Sequence, residues 1–319
     1  MNQPFCKALF WAVLLLIGFG GGRLRASGDV HVVVLTHDSL TSTKRTLHGT
    51  EKVIRREHPE AVFHSFLVTN DDSSRTFIVD SLSRISPNVI VTIGSAATEF
   101  AQANFRNTPI TFSSVMYPVL SGFVKSMERP GENVTGASLD IPAEVQFKYF
   151  KKIVPDLRRL GVLYTSNTAG LIADAKSVAQ SLGLTLVPVL VNDVKELPEA
   201  LDSLSATAQG VWSVADPNLF DPQSTRYILL NMIRKGIPFM GFSRHVVESG
   251  ALFALDFDYK AIGFQAGAIA SRIIRGEHPR NIPVTMADVI WFHYNEKTAD
   301  YINIRMPEEL VAVAKEVYR

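Results

Sequence analysis

From Val30 onward the chain alternates short apolar runs with longer amphipathic stretches. VHVVVLT (30–36) is rich in β-branched residues, as a strand covered on both faces requires, and TSTKRTLHGTEKVIRREH behind it carries Leu47, Val53 and Ile54 at helical spacing after serine and threonine cap candidates. AVFHSFLV, a helical stretch around 73–86, NVIVTIG, a helix from about Ser95, and PITFSSV continue the series. The second half repeats it with RLGVLYT (159–165), a helix over 168–182, LTLVPVLV, a helix over 196–206, GVWSVAD (210–216), a helix over 223–235, and GIPFMGFS. Continuous apolar strands separated by helices predict an α/β fold of parallel sheets with helices on both faces.

Two segments resemble each other: SPNVIVTIGSAATEFAQANFRNTPITFSS and AQGVWSVADPNLFDPQSTRYILLNMIRKGIPFMGFS. Each gives strand, polar turn, helix, short turn, strand and serine, as two lobes of one architecture would leave in a sequence. The chain's 319 residues suit two such lobes better than one core. No Gly/Ser/Pro linker marks the midpoint; PAEVQFKYFKKIVP occupies it with a helical pattern. Late in the chain KAIGFQAGAIASRIIRGEHP reads as a long helix with small residues at Gly263, Ala266, Gly267 and Ala270, and IPVTMADVIWFHYN with two terminal helices follows. The expected fold is therefore two interleaved, doubly wound parallel-sheet lobes. Residues 29–139 plus 257–282 form the N-terminal lobe, and 140–256 plus 283–319 the C-terminal one.

Composition narrows the function. With 46% hydrophobic and 20% charged residues the chain is neither disordered nor a multi-span membrane protein. Its 32 basic and 31 acidic residues give no footprint for a polyanion, so nucleic acid is not an expected partner. Residues 1–28 differ from the rest: one lysine, the apolar run ALFWAVLLLIGF, then small residues ending in Ala26-Ser27-Gly28, an A-x-G cleavage pattern. This reads as an export signal, the apolar run being shorter than the roughly 20 residues of a spanning helix. Cys6, the single cysteine, precedes that run, where it cannot serve as a lipoprotein anchor, so the exported chain would carry no thiol and no disulfide.

Candidate chemistry lies at the strand ends, because ligands of open parallel sheets collect beyond the carboxyl ends of the strands, where helix amino termini offer free N–H groups. Those ends read Thr36-His37-Asp38, Gly94-Ser95-Ala96, Ser113-Ser114, Thr165-Ser166-Asn167, Asp216-Pro217-Asn218 and Ser243-Arg244. Helix capping explains any one of them, but six in two matched sets point to a shared polar cleft. At IGSAAT, Gly94 admits close approach, and Ser95 with the N–H groups of Ala96 and Ala97 would hold a carboxylate. Tyr117 and Tyr164 sit at or just past strand ends and are candidates to touch a ligand.

Other chemistries find little support. Neither GxGxxG nor GxxxxGK[ST] occurs at IGSAAT, so no nucleotide cofactor is expected. Gly241-Phe242-Ser243-Arg244-His245 departs from the GxSxG nucleophile elbow, and the eight histidines show no HExxH spacing. Neither a catalytic residue nor a metal site is expected.

With these residues in view, the chain resembles the ABC-transporter substrate-binding proteins related to the tryptophan-binding component, a type I periplasmic-binding-protein fold. VTIGSAA, PITFSSVMYPVLSGFVKSMERPGENVTG, LGVLYTSN, IPFMGFSRHVVESGALFALDFDYKAIGFQAG and IIRGEHPRNIPV carry the resemblance, which runs from about residue 30 to the carboxyl end. It implies two lobes joined by three crossovers around a small ligand, an aromatic amino acid in the best-understood relatives. The irregular stretch 113–136 would then be cleft rim and approach to the first crossover, where backbone dihedrals change when lobes close. Expected contacts are Ser95, Ala96, Ser113 and Ser114 for a carboxylate and Asn167, Asp216 and Ser243 for the opposite end, with Thr36, His37, Gly94, Tyr117, Ser166 and Asp256 completing the set. Relatives commonly carry aspartate where Tyr117 stands, so Asp216 or Asp256 would replace that charge, or the ligand differs. The expected partners are the small molecule and a membrane permease of an ABC importer, or alternatively a membrane sensor, with the protein itself a periplasmic monomer. A cleft enzyme is the remaining rival.

Overall fold

The computed structural model describes residues 29–319. The segment read as an export signal, 1–28, lies outside the described residues. The first sheet comprises β1 (His31–Thr36), β2 (Val62–Leu67), β3 (Val89–Ile93), β4 (Ile110–Val115) and β5 (Val134–Ser138), all parallel, in the order β2-β1-β3-β4-β5. The second contains β6 (Arg159–Tyr164), β7 (Thr185–Leu190), β8 (Gly210–Trp212), β9 (Phe239–Gly241) and β10 (Phe253–Phe257), extended by β11 (Ile290–Asn295) and β12 (Ala314–Tyr318). Its order β12-β11-β10-β9-β8-β6-β7 contains the pattern of the first sheet. The look-alike segments of the sequence accordingly occupy equivalent places, third strand, helix and fourth strand of each lobe: β3, α3 (Ser95–Asn104) and β4 in one, β8, α7 (Pro222–Arg234) and β9 in the other.

Both faces of each sheet are covered, which explains the unbroken apolar runs. On one side of β1, Val32 and Val34 pack with Ile54 of α1 (Thr41–Glu57) and with Ile269 and Ile273 of α9 (Tyr259–Ile274). On the other, Val33 and Leu35 meet Ile78 and Leu82 of α2 (Asp72–Ile85) and Ala97 and Ala101 of α3. Each such side chain, fully buried, contributes about 1.5–3 kcal/mol. The second lobe follows suit: α4 (Ala143–Ile153) and α5 (Ala169–Ser181) pack on Leu160 and Val162 of β6, while α6 (Leu197–Thr207) and α7 pack on the face of Leu163.

Helix α9 follows β10 of the second sheet but packs on the first. Its partner is α1, and the backbones approach so closely that a Cβ on Gly263 would strike the Thr46 carbonyl and one on Gly49 that of Lys260. The small residues of the late helix are therefore a packing seam between two helices distant in sequence.

The chain passes between lobes at 139–142, at 257–258 and at 286–289. Val284 and Thr285 bond to the first sheet and its loops: the Val284 N–H donates to the Met127 carbonyl (2.7 Å) and the Ser138 N–H to that of Thr285 (2.7 Å). A small apolar cluster gathers at all three passages, with Ala137 of β5 and Leu139 at the first, Phe257 at the second and Ala287 at the third, against Ile262 and Ala266 of α9. Because β10 leaves the second sheet at the same end where β11 re-enters it, β11 must run the opposite way, and β10–β11 is an antiparallel pair in an otherwise parallel sheet.

The carboxyl end departs from expectation. Helices α10 (Glu296–Tyr301) and α11 (Glu308–Val313) are present, but Ala314–Tyr318 then forms β12, parallel to β11 with His293 opposite Glu316 and Asn295 opposite Tyr318. AKEVY is rich in helix formers, and pairing to a neighbouring edge overrides that preference. A short helix, α8 (Arg244–Glu248), also follows β9 where none was anticipated.

Substituting Gly263→Leu should lower unfolding free energy by about 3 kcal/mol or more, since the obstructing atoms are backbone and cannot turn aside. Denaturant titration measures it; an unchanged midpoint would mean that α1 and α9 do not touch.

Candidate functional site

Parallel strands direct their carboxyl ends to one edge of each sheet, and in the first lobe that edge is built around Gly94. Its φ of +89° is a conformation L side chains rarely adopt, and its N–H donates to the Ser113 carbonyl at 2.9 Å. An ideal Cβ there would meet nothing within 4 Å, so the backbone faces open space. Helix α3 starts immediately after, without a side-chain cap, and Ser95 and Ala96 are exposed at its positive end. Ser114 has φ +55°, and its hydroxyl lies 2.9 Å from that of Thr46. Ser113 differs: it is fully buried and its hydroxyl has no partner. Thr36 is half-buried and gives its carbonyl to the Val68 N–H. His37 is exposed, 3.4 Å from Asp38, whose carboxylate accepts the Thr43 hydroxyl (2.6 Å) and the Leu40 N–H (3.0 Å).

In the second lobe, Asp216 is 2% exposed and fully engaged within its own lobe. Its Oδ2 accepts the hydroxyls of Thr165 (2.7 Å) and Thr168 (2.9 Å), and its Oδ1 the Asn218 N–H (3.0 Å). The carboxylate thus staples the end of β6 to the end of β8 across the point where strand order reverses. Ser166 and Asn167 are exposed on the same tip. Ser243 precedes α8 with its hydroxyl making no cap bond, and Asp256 is the penultimate residue of β10, 8% exposed.

Three adjoining compartments lie along the junction. The smallest, about 40 Å³, is lined by Tyr117, Asp140, Gln146, Trp212 and Phe257 among others. A second, about 150 Å³, is lined by Asp38, Ser42, Gly94, Ser114, Leu139 and Tyr259. The third, about 630 Å³, opens between Ser42 and Arg45 of α1 and Ser243, Asp256, Tyr259, Trp291 and His293. Leu139, Phe257, Ser42 and Tyr259 each line two of them, so they form one cleft. Of the candidates, Gly94, Ser114, Tyr117, Ser243 and Asp256 line this cleft, and Ser95 and Ala96 stand beside it. Thr36, His37, Ser113, Ser166, Asn167 and Asp216 line none of its compartments.

Tyr117 spans the lobes at the floor. Its φ is +52°, its N–H donates to both oxygens of Asp140 (2.9 and 3.2 Å), and its phenol oxygen accepts the Ala215 N–H at 3.3 Å. Burial pushes the Asp140 carboxyl above its ordinary value, against the opposing effect of the Tyr117 N–H and the Ser138 hydroxyl. Burial, with the Asp140 charge adding, also raises the Tyr117 phenol. On the far wall burial holds His293 below the ordinary histidine value, while the nearby Asp256 and Glu316 oppose that fall.

Arg45, Asp140, Trp291, His293 and Glu316 were not singled out in the sequence. His293 left a trace, a histidine alternating with Phe292 and Tyr294 in an apolar strand and so facing the other side. The others come together only through the crossings.

The model of the family described as ABC transporter substrate binding protein matches residues 30–318. The chain belongs to that family. This substrate-binding protein is 25% identical over 240 residues to a tyrosine-binding protein of Clostridioides difficile (strain R20291), covering 74% of this chain and 69% of the relative. It superposes on an ABC domain in complex with L-Trp from Streptococcus pneumonia with a TM-score of 0.65 at 21% identity, over 91% of this chain and 100% of the other. Against the ligand-free, open structure of a substrate binding protein with adhesive properties from Clostridium difficile the TM-score is 0.74 at 20% identity, over 91% and 99%. These structural likenesses establish the two-lobed periplasmic-binding-protein fold.

Two outcomes follow from the carboxylates. Asp216→Ala should destabilise the protein by about 2–3 kcal/mol, as loss of charged acceptors for buried donors does, and thermal denaturation without ligand reads it. Asp140 has a raised folded-state value, so its contribution to stability is fully present below the ordinary carboxyl value of 3.8 and is lost as pH rises through the folded value. Relative to wild type, the melting temperature of Asp140→Asn should therefore climb with pH above 3.8 and level off once Asp140 is ionised. A difference independent of pH would rule the raised value out.

Proposed function

We propose that this substrate-binding protein captures an aromatic amino acid in the cleft, outside the cytoplasmic membrane, and presents it to the permease of an ABC importer. The observation that carries the reading is the uncapped start of α3. Gly94 leaves the backbone bare, Ser95 and Ala96 are exposed without a side-chain cap on their helix, and Ser114 lines the same compartment, part of a cleft whose opposite wall is the second lobe. Free N–H groups at a helix start favour a carboxylate. Trp212, Tyr259 and Trp291 give the same cleft aromatic surface for a ring. The tyrosine and tryptophan named for two relatives supply the solute class.

Binding without turnover is the proposed chemistry, a reading supported by the substrate-binding family and the tyrosine-binding relative. Among the described residues no helix is long and apolar enough to cross a membrane.

A ligand that binds only the folded state stabilises it by about 2.7 kcal/mol at a hundredfold excess over Kd. L-tyrosine or L-tryptophan should accordingly raise the melting temperature, and ribose and inositol should not. A panel of amino acids that leaves the transition unmoved would count against amino-acid capture.

A further inference from the structure

We infer that Asp256, with His293 beside it, is the seat for the positively charged group of the captured solute; the assignment rests on the proposed capture role. The 630 Å³ compartment is walled by three carboxylates, Asp256, Asp258 and Glu316, and by Arg45, Arg244, His245, His293 and Lys315. Most of these charges are already matched. Arg45 reaches Asp258 at 3.3 Å, Arg244 reaches Glu316 at 3.5 Å, and His245 faces Glu248 at 3.6 Å. The Lys315 ammonium lies over the Trp291 ring, 4.6 Å from its centroid.

Asp256 is what remains. It is 8% exposed, and it accepts only backbone N–H groups, from Phe257 (2.8 Å) and Arg244 (3.2 Å). Among the described residues it makes no ion pair within 4.0 Å. No cation among the described residues lies within ion-pair reach to balance its charge, so a cationic group brought into the compartment would gain a charge-assisted hydrogen bond there. His293 repeats the situation: it is 1% exposed, and neither ring nitrogen has a hydrogen-bond partner, the Glu316 carboxylate standing 3.4 Å from Nδ1 without alignment. A carboxylate without a counter-charge and a buried histidine without a hydrogen-bond partner, lining one cavity, are what a site looks like before its ligand arrives.

Of the other aspartates lining the cleft, Asp258 is paired with Arg45, Asp38 accepts the Thr43 hydroxyl and Leu40 N–H, and Asp140, holding the Tyr117 N–H on both oxygens, lines only the smallest compartment, about 40 Å³. Asp216, outside the cleft, accepts two hydroxyls and an N–H. The compartment of Asp256 and that of Gly94 and Ser114 share Ser42 and Tyr259. A dipolar solute would lie across Tyr259, negative end towards α3 and positive end against Asp256, with Tyr259 and Trp291 as aromatic walls.

The test is calorimetric titration of wild type and Asp256→Asn with L-tyrosine, with tyramine, which lacks the carboxylate, and with 3-(4-hydroxyphenyl)propionate, which lacks the ammonium. Ligand-free melting verifies that the variant folds; Asp256→Ser, whose hydroxyl still accepts an N–H, replaces it if Asn does not. Expected are losses of about 30-fold or more for the two amines, as for a buried charge pair missing one partner, and no change for the propionate. Wild type and variant binding L-tyrosine within threefold of each other would overturn the seat and leave amino-acid capture standing. Tyramine bound through Asp256 with L-tyrosine refused would keep the seat and overturn amino-acid capture. Wild type binding neither amine would overturn both.

Discussion

Parallel pairing is the constraint from which the rest follows. Parallel strands cannot be joined by tight turns, so each requires a crossover, and every strand in the set then ends on the same edge. Helices start at that edge with unpaired N–H groups. The polar tips at Gly94, Ser114, Thr165, Asp216 and Ser243 are a result of this geometry repeated twice, and the cleft exists because two such edges face each other. Even the antiparallel exception obeys it. The chain leaves β10 and returns into β11 at the edge where the lobes meet, which fixes the direction of the last two strands.

Position at such an edge does not assign a role. Asp216 and Asp256 occupy corresponding places in the sequence pattern, each closing an apolar run, yet one is held by two threonine hydroxyls and the other by backbone alone. Threonines 165 and 168, three residues apart across a single turn, make the difference: they convert a carboxylate into a fastener between β6 and β8. Tyr117 behaves similarly. Its ring contacts the other lobe, and its left-handed backbone is held by Asp140, so it closes the floor of the cleft.

Much of this was legible beforehand. The β-branched runs and their spacing fix β1, β3 and β4, because strands buried on both faces tolerate little else. The twin segments around α3 and α7 anticipated two lobes, and the Gly263 and Gly267 pattern marked the seam of α9. What escaped notice depends on contacts between distant segments. AKEVY reads as helix until β11 offers an edge, and His293 reads as an ordinary surface residue until α8 and β12 cover it. Whether a polar side chain at a strand end is free or taken depends on neighbours as far as 51 residues away for Asp216 and Thr165, and 68 for Ser114 and Thr46.

The three passages between lobes also have a mechanical meaning. Three peptide segments gathered on one apolar cluster bind the two lobes at a shared seam, so any displacement of one lobe against the other must be absorbed by all three at once. Because α9 is threaded into the other half's core, severing any one tether would leave two intact.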